Sequence, residues 1–358
     1  MEYKSKMPFT VLRLRTWLTL CYALFIVYGS LSPFSGWREQ GYDFLDVLRE
    51  PLILTYTGFD TVVNVLAYMP FGLLTVLTFN TRFNAIVSVI FGLFVAVSLS
   101  ASMEYVQMYL PSRVSSNMDL LSNSAGALLG SLLALSVVSH TWLLAQIDQW
   151  RNNLFNSGKE MDFGLALLAL WMFGQINPSL PMLGNLFISE LARQPFAALP
   201  QEPFDWYESS AVVLNLLMLG ALLLTLLRIP RNTFPALAVI LCAVALAKFV
   251  TAAVLLKSWA LLLWINSEAV LGMFFGTVLL FAALWLPRNW RMLSGAAVAL
   301  AYFGVVNFLL GDNNPAAAMT IYHWHYGHLL NYNGLAQTIA LVFPLLLLWH
   351  LWRIRNFS

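Results

Sequence analysis

Apolar runs of about twenty residues recur along the entire chain, and they restrict it to one class of fold. About 20 helical residues span the hydrocarbon core of a bilayer. Hydrophobic residues make up 59% of the sequence and charged residues only 10%, a composition that excludes a soluble domain. We therefore predict an all-α fold, a polytopic transmembrane helical bundle of about ten helices. The predicted spans are residues 13–31, 61–79, 85–109, 119–139, 162–177, 208–228, 235–256, 259–286, 292–310 and 334–352.

Basic residues predict the orientation of these spans, because Lys and Arg concentrate on the cytoplasmic side of membrane proteins. With the N-terminus inside, thirteen of the nineteen Lys and Arg residues lie at cytoplasmic ends and five at outer ends, while Lys248 lies within a span. The N-terminal run has no small-residue cleavage site before Pro33, so we interpret it as a retained helix. Both termini are then expected in the cytoplasm. The expected outer segments are 32–60, 110–118, 178–207 and 311–333.

Matched landmarks at a nearly constant offset indicate an internal repeat. The matched pairs are Gly29 with Gly174, Pro33 with Pro178 and Phe59-Asp60 with Phe204-Asp205 at 145 residues, and Gly126/Gly130 with Gly272/Gly276 at 146. We predict two parallel four-helix repeats: residues 13–140, a degenerate copy over 160–287, and two additional helices over 288–358. Small-xxx-small pairs let helices approach closely, so these four glycines are interpreted as helix-packing positions.

The strongest concentration of polar residues lies between two apolar runs, over residues 101–130. Polar and charged side chains this close to hydrocarbon are costly and by default indicate a functional site. Glu104 and Gln107 share one face at the outer end of the third helix, and Asp119 and Asn123 begin a stripe along the fourth. The short connection makes the two helices antiparallel neighbours. We expect both faces to line one outer cleft.

Candidate roles follow from the chemistry of these side chains. Glu104, the deepest carboxylate, is a candidate general base, and Asp119 is the second candidate catalytic residue. Arg113, on the connecting loop, is suited to bidentate binding of phosphate or carboxylate. The other candidate substrate-binding residues are Gln107, Asn123, Asp60 and Asn64.

A structural interpretation of the same residues stays open. Asp119 also fits a capping role at the start of the fourth helix. Arg113 would then pair with Asp119 or Glu104 at the interface, where charges are less costly than at the midplane. For Asp60, at the outer end of the second helix, capping and site contact have equal support.

The order and spacing of these residues resemble the VanZ-like family over about residues 15–138. The residues concerned are Phe59-Asp60, Asn64, Tyr68-Met69-Pro70-Phe71-Gly72, Glu104, Gln107, Arg113, Asp119, Asn123, Gly126 and Gly130. The resemblance implies a four-helix domain of the bacterial envelope, whose namesake lowers susceptibility to the glycopeptide teicoplanin by an unestablished mechanism. It implies no cofactor. We accordingly expect a multi-pass protein of the bacterial cytoplasmic (inner) membrane.

The second half lacks the matching carboxylates, and we expect no comparable constellation there. Its last outer loop contains His323, His325 and His328 among Tyr322, Trp324 and Tyr326. With Asp312 as the only acidic neighbour, this spacing is weak support for zinc, and an interfacial aromatic belt is favoured. No metal site is predicted. Lys248 is expected to pair with Glu268 or to line a pathway.

Several functions are excluded by the motifs that the sequence lacks. It has no glycine-rich phosphate loop, dinucleotide fingerprint or Ser/His/Asp order, and a net charge of +2 gives no reason to invoke nucleic acid. The expected partners are membrane lipids and a polyprenyl-linked glycan or cell-wall precursor.

Three functions remain, and whether the protein is an enzyme stays open. The favoured one is an envelope protein whose outer polar site binds a lipid-linked or saccharide component, which would lower glycopeptide susceptibility if it hid the drug's target. The second is an enzyme acting on the same substrate class with Glu104 as general base. The third, a lipid or glycan transporter, is disfavoured because the polar residues cluster on one side of the membrane.

Overall fold

The computed structural model describes residues 9–41, 43–51, 58–188, 204–310, 313–324 and 327–357. The chain divides into two compact units, Met1–Asn153 and Leu154–Ser358, which we call the N-terminal and C-terminal units. Apart from two isolated β-bridges, the regular structure of the described residues is helical. The all-α prediction is confirmed.

The hydrophobic core of the N-terminal unit lies between its four longest helices. Asn84 and Ser116 cap two of them, because their side-chain oxygens accept the N–H groups of Val87 at 2.9 Å and Met118 at 3.1 Å. The helices are α1 (Phe9–Leu31), α2 (Phe44–Arg49), α3 (Gly58–Phe79), α4 (Ala85–Gln107), α5 (Asn117–Ser139) and α6 (Thr141–Leu154). Helix α3 packs against α1, α4 and α5, so it is the central helix of the unit.

In the C-terminal unit, α8 occupies the corresponding central place. Asp205 and Asn266 cap α8 and α10 by accepting the N–H groups of Tyr207 and Ala269, each at 2.8 Å. The helices are α7 (Lys159–Gln175), α8 (Trp206–Leu226), α9 (Thr233–Leu255), α10 (Ser267–Ala283), α11 (Arg288–Gly304) and α12 (Gly327–Phe357). Helix α8 packs against α7, α9, α10, α11 and α12.

Eight helices of the described residues are long and apolar enough to cross a membrane, which supports a polytopic bundle. Their apolar segments are Leu14–Leu31, Asp60–Phe79, Ala85–Gln107, Asn117–Ser139, Trp206–Leu226, Pro230–Leu255, Arg288–Leu309 and Leu329–Arg355. They coincide with eight of the predicted spans. The other two predicted spans contain α7 and α10, each of 17 residues, which is the lower limit for crossing.

Helices α2 and α6 were not predicted. Helix α2 has only six residues, and α6 is amphipathic, with Trp142 and Trp150 exposed. Neither contains an apolar run of about twenty residues, so a search for membrane spans does not detect them. Exposed tryptophans on an amphipathic helix are typical of a helix that lies along a membrane surface.

The segment that follows α7 is not helical, yet it is buried within the C-terminal unit. Asn177 and Ser179 are fully buried, as is Lys248 on α9. The Lys248 Nζ donates to the carbonyls of Asn177 at 2.6 Å and Leu180 at 2.8 Å, rather than pairing with Glu268. Irregular backbone is tolerated at membrane depth only when its polar groups have partners, and Lys248 supplies two of them.

Candidate functional site

Three helices of the N-terminal unit each contribute polar residues spaced four apart. Such residues lie on one helical face, and side-chain hydrogen bonds join the three faces. The residues are Asp60, Asn64 and Tyr68 on α3, Ser100 and Glu104 on α4, and Asp119 and Asn123 on α5. We call these seven residues the polar cluster. Five of them are site residues predicted from the sequence.

Glu104 is the most deeply placed carboxylate of the cluster, with only 4% of its surface exposed. Its Oε2 accepts the backbone N–H of Ser116 at 2.9 Å, and its own carbonyl accepts the Ser115 hydroxyl at 2.6 Å. Both partners lie in the connection between α4 and α5. Glu104 therefore holds this connection against the end of α4, and its carboxylate also interacts electrostatically with Asp119 and Tyr68.

Asp119 lies nearer the surface and is only partly buried. Its Oδ1 accepts the Nδ2–H of Asn64 at 2.8 Å, which joins α5 to α3. Asp119 also interacts electrostatically with Asp60 and Glu104. Ser116, and not Asp119, is the N-cap of α5, so the capping alternative for Asp119 is not needed to explain the start of the helix.

Asn123 and Tyr68 form the buried floor of the cluster. The Asn123 Nδ2 donates to the Ser100 hydroxyl at 2.9 Å, while its Oδ1 is buried without a hydrogen-bond partner among the described residues. The Tyr68 hydroxyl is buried next to Ser100 and Glu104. A buried amide oxygen without a partner is unusual in a folded protein, and it leaves an acceptor available to a ligand or water.

Gln107 and Arg113 do not join this cluster, and they bind the end of α1 instead. The Gln107 Nε2 donates to the Ser30 carbonyl at 2.9 Å. The Arg113 Nη2 donates to the carbonyls of Gly29 at 2.8 Å and Ser32 at 3.0 Å, and its Nε also donates to Ser32, at 3.3 Å. The last carbonyls of a helix have no partner within the helix, and a cation is favourable there.

The guanidinium of Arg113 is therefore already engaged with backbone. Burial lowers the pKa of Arg113 from its ordinary value, although an arginine remains protonated in proteins. Its Nη1 makes no hydrogen bond within the described part of the chain. The alternative in which Arg113 pairs with Asp119 or Glu104 is replaced by these contacts. The seven residues of the polar cluster consequently include three carboxylates, and Arg113 is not among their partners in the described structure.

Glycines bring α3 and α5 together beneath the cluster. A Cβ added at Gly126 would collide with the backbone carbonyl of Val65, and one added at Gly130 would collide with that of Met69. In the C-terminal unit, a Cβ at Gly272 would lie 2.6 Å from the Val212 Cβ, whereas one at Gly276 would lie 3.3 Å from the Leu216 Cβ. All four glycines thus lie where α5 packs against α3 or α10 against α8, and the first pair has the closer approach.

The C-terminal unit does contain a polar constellation, contrary to the expectation from its sequence. Glu208 is 2% exposed and its Oε1 accepts the backbone N–H of Asn185 at 2.8 Å. Asn185 donates from Nδ2 to the Tyr302 hydroxyl at 2.6 Å, and Trp171 donates to the Asn215 Oδ1 at 2.8 Å. These residues are separated by long stretches of sequence, so no local sequence pattern predicts their contacts. They hold the buried segment after α7 in place.

The structure offers no support for a metal centre in the part of the chain that it describes. There, no three His, Cys, Asp or Glu side chains lie close enough to hold a metal ion, and this includes the three carboxylates of the polar cluster. His323 is described and exposed. His325 and the side chain of His328 lie outside the described residues.

Tyr68 and Ser100 belong to the cluster but were not among the site residues predicted from the sequence. Tyr68 follows Asn64 by four residues and Ser100 precedes Glu104 by four, which places each on the helical face of a predicted site residue. Extending the polar stripes by one further turn would have identified both. Ser116 could not be found this way, because it contributes its backbone N–H and not its side chain to Glu104.

The N-terminal unit is similar to a known protein family. Residues 7–142 match the family model described as VanZ/LLP1. The matched residues include the whole polar cluster and both residues that bind the end of α1, and the match does not extend into the C-terminal unit. No curated protein and no solved structure matches the chain.

Proposed function

We propose, on the premise that residues 7–142 form a VanZ/LLP1 domain, that the polar cluster binds the saccharide of a lipid-linked envelope glycan. The chain is a multi-pass membrane protein, and a VanZ domain is consistent with a role in the envelope or in glycopeptide resistance. A polyprenyl-linked cell-wall precursor combines the two properties that such a site requires: a lipid that remains in the membrane and a hydroxyl-rich head group at its surface.

The convergence of acceptor oxygens from three helices supports a saccharide most directly. Asp60 and Asp119 are partly exposed, and Glu104 and Asn123 lie behind them. Carboxylates accept hydrogen bonds strongly and donate none when ionised, so they suit the hydroxyl groups of a sugar. They do not suit a phosphate, because three nearby carboxylates repel an anion, so in this proposal the diphosphate of the precursor lies outside the cluster.

Aromatic side chains near this end of the N-terminal unit give further support. Tyr105 lies next to Glu104 in α4 and is 48% exposed, and Trp37 is 46% exposed. The rings of Phe44 and Tyr105 meet edge to face at 5.8 Å, and the hydroxyls of Tyr105 and Tyr109 are 3.2 Å apart. Exposed aromatic rings with polar groups are typical of binding surfaces that are part apolar and part wet.

In this proposal, occupancy of the site explains a glycopeptide phenotype without any covalent change. A precursor held at the polar cluster is partly hidden from a glycopeptide such as teicoplanin, which would otherwise bind it. Susceptibility to the drug is then expected to fall as the site fills. Orientation of the cluster toward the outer leaflet is a further part of the proposal.

Catalysis on the same substrate is the second candidate, and one observation favours it. Glu104 and Asp119 interact electrostatically but differ in environment, since one is buried and the other partly exposed. Two carboxylates in unlike environments can divide the roles of acid and base. Burial of Glu104 behind Asp119 favours binding over catalysis, because a general base must reach the reacting proton.

A binding experiment separates the two candidates. We would incubate the purified full chain and its Asp119→Asn and Glu104→Gln variants with a polyprenyl-diphosphate-linked saccharide, and follow the mass of the bound ligand by native mass spectrometry. Glu39→Gln is the matched control, because Glu39 is an exposed carboxylate outside the cluster. Polyprenyl phosphate without a saccharide serves as the control ligand.

The proposal predicts that the wild type retains the unchanged glycolipid and discriminates against the lipid without sugar. Asp119→Asn should raise the Kd about tenfold or more, since a hydrogen bond to a charged group contributes about 1.5–3 kcal/mol. If the wild type changes the mass of the ligand and Glu104→Gln does not, the result would support catalysis instead of binding alone. Equal retention by all four proteins, with equal melting temperatures, would contradict a role of the cluster in either activity.

A further inference from the structure

Four helix ends of the C-terminal unit meet around an open cavity of about 540 Å³. Helices α7 and α11 begin there, and α8 and α12 end there, so all four termini lie on one side of the unit. This volume lies within the range of about 300–1,000 Å³ that small-molecule sites occupy. The cavity belongs entirely to the C-terminal unit and is unrelated to the polar cluster.

The charged side chains that line this cavity are mostly cationic. The cations are Lys159, Arg228, Arg288 and Arg291. The only carboxylate of the lining, Glu160, is neutralised by Arg353, whose Nη2 lies 2.8 Å from its Oε1. The Nε of Arg291 is buried without a hydrogen-bond partner in the described structure. The cavity thus has excess positive charge and a guanidinium donor that the protein does not satisfy.

Backbone groups add to this preference for an anion. The N-cap residues Gly158 of α7 and Pro287 of α11 provide no side-chain hydrogen bond to the first turn, and Gly158 lines the cavity. The unpaired N–H groups at a helix start attract anions and phosphates in particular. The start of α7 thus adds positive partial charge to the four cations, offset in part by the two carboxylates of its first turn, Glu160 and Asp162.

The surroundings of the cavity place it at the level of lipid head groups. Leu224, Leu351 and Ile354 supply apolar lining. Trp285 and Trp290 are 80% and 62% exposed on either side of Arg288, and exposed tryptophans of membrane helices concentrate at the interface with water. The cavity is basic at its rim and apolar inside, and it lies at the depth of the interface between membrane and water. These properties fit a lipid head group with its attached glycerol and acyl chains better than they fit a soluble ion.

We propose that this cavity binds the phosphate of an anionic membrane lipid, with Arg288 and Arg291 as its principal ligands. Basic pockets between helix ends recur as sites for phospholipid head groups, and the planar guanidinium forms paired hydrogen bonds to phosphate. Lys159 and Arg228 add charge from the neighbouring helices. The site is independent of the saccharide proposal, since it lies in the other unit and takes a ligand of opposite preference.

Lipid retention tests this inference in the full chain. The purified protein is equilibrated with micelles that contain phosphatidylglycerol and phosphatidylcholine, and the lipids that remain bound are identified by native mass spectrometry. The test variants are Arg288→Gln/Arg291→Gln and, from the other helices, Lys159→Gln/Arg228→Gln. Arg231→Gln/Arg355→Gln is the matched control, because both arginines are exposed and neither lines the cavity.

The wild type and the control should retain phosphatidylglycerol selectively, while each test variant should lose about tenfold in the retained fraction with an unchanged melting temperature. If one test variant fails to fold, the other decides. Equal retention by the control and by a folded test variant would overturn the inference. Displacement of the lipid by millimolar inorganic phosphate would also overturn it, because the site would then recognise a soluble anion.

Discussion

At the residue scale, similar polar side chains near one end of the N-terminal unit have two different roles. Glu104 and Asp119 face other polar groups of the cluster, whereas Gln107 and Arg113 satisfy carbonyls at the end of α1. Helical spacing predicted that Glu104 and Gln107 share a face, but it does not specify which neighbouring helix each side chain contacts. That information depends on the packing of α1, which the sequence pattern around residues 101–130 does not contain.

Arg113→Gln tests whether this arginine stabilises the fold. The substitution removes a charged donor from the carbonyls of Gly29 and Ser32, so we expect the free energy of unfolding to fall by about 1–3 kcal/mol. Thermal unfolding in detergent measures the change. Arg38→Gln is the control, since Arg38 is exposed. If Arg113→Gln leaves the stability unchanged but abolishes glycolipid binding, the result would support the ligand-binding role that was predicted for Arg113 from the sequence.

At the scale of elements, the length of the apolar runs predicted the long helices. It failed where polar residues determine the residue at which a helix begins or ends. Eight predicted spans coincide with long helices. The predicted span 259–286 is shortened to α10 because Asn266 caps the helix. The non-helical segment after α7 is buried through Lys248 and Asn333, which lie far along the chain. A local pattern cannot indicate partners at that separation.

Gly130→Ala tests the contact that fixes α3 against α5. The new methyl would collide with the Met69 carbonyl, and backbone cannot move aside as a side chain can. We expect a loss of about 1–3 kcal/mol in the free energy of unfolding. Gly29→Ala is the control, because nothing lies within 4 Å of its added Cβ, and it should be neutral or slightly stabilising. Equal melting temperatures for both variants would show that the helices are not so closely packed.

At the scale of the whole molecule, the family match lies within one of the two compact units. Residues 7–142 match VanZ/LLP1, and the C-terminal unit has its own buried polar network around Glu208 and Asn185. Glycines pack α5 against α3 and α10 against α8, as an internal repeat requires. The repeat, its boundaries and the orientation in the membrane stay predictions, because similar packing alone does not establish duplication.

Cysteine accessibility tests the predicted orientation. In a Cys21→Ser/Cys242→Ser background, Val114→Cys should react with a membrane-impermeant maleimide on intact cells, because residue 114 is 68% exposed on the predicted outer side. Arg231→Cys should react only after the membrane is opened. If only Arg231→Cys is labelled on intact cells, the topology is the reverse of the predicted one and the polar cluster lies on the cytoplasmic side.

The buried segment after α7 constrains the order in which the C-terminal unit is made. Its carbonyls at Asn177 and Leu180 are bound by Lys248, about seventy residues later, and Asn177 also binds Asn333, 156 residues later. Helix α7 is translated well before Lys248 and Asn333 leave the ribosome. The native hydrogen bonds of this segment can therefore form only after α9 and α12 have been translated, so it is among the last parts of the C-terminal unit to be completed.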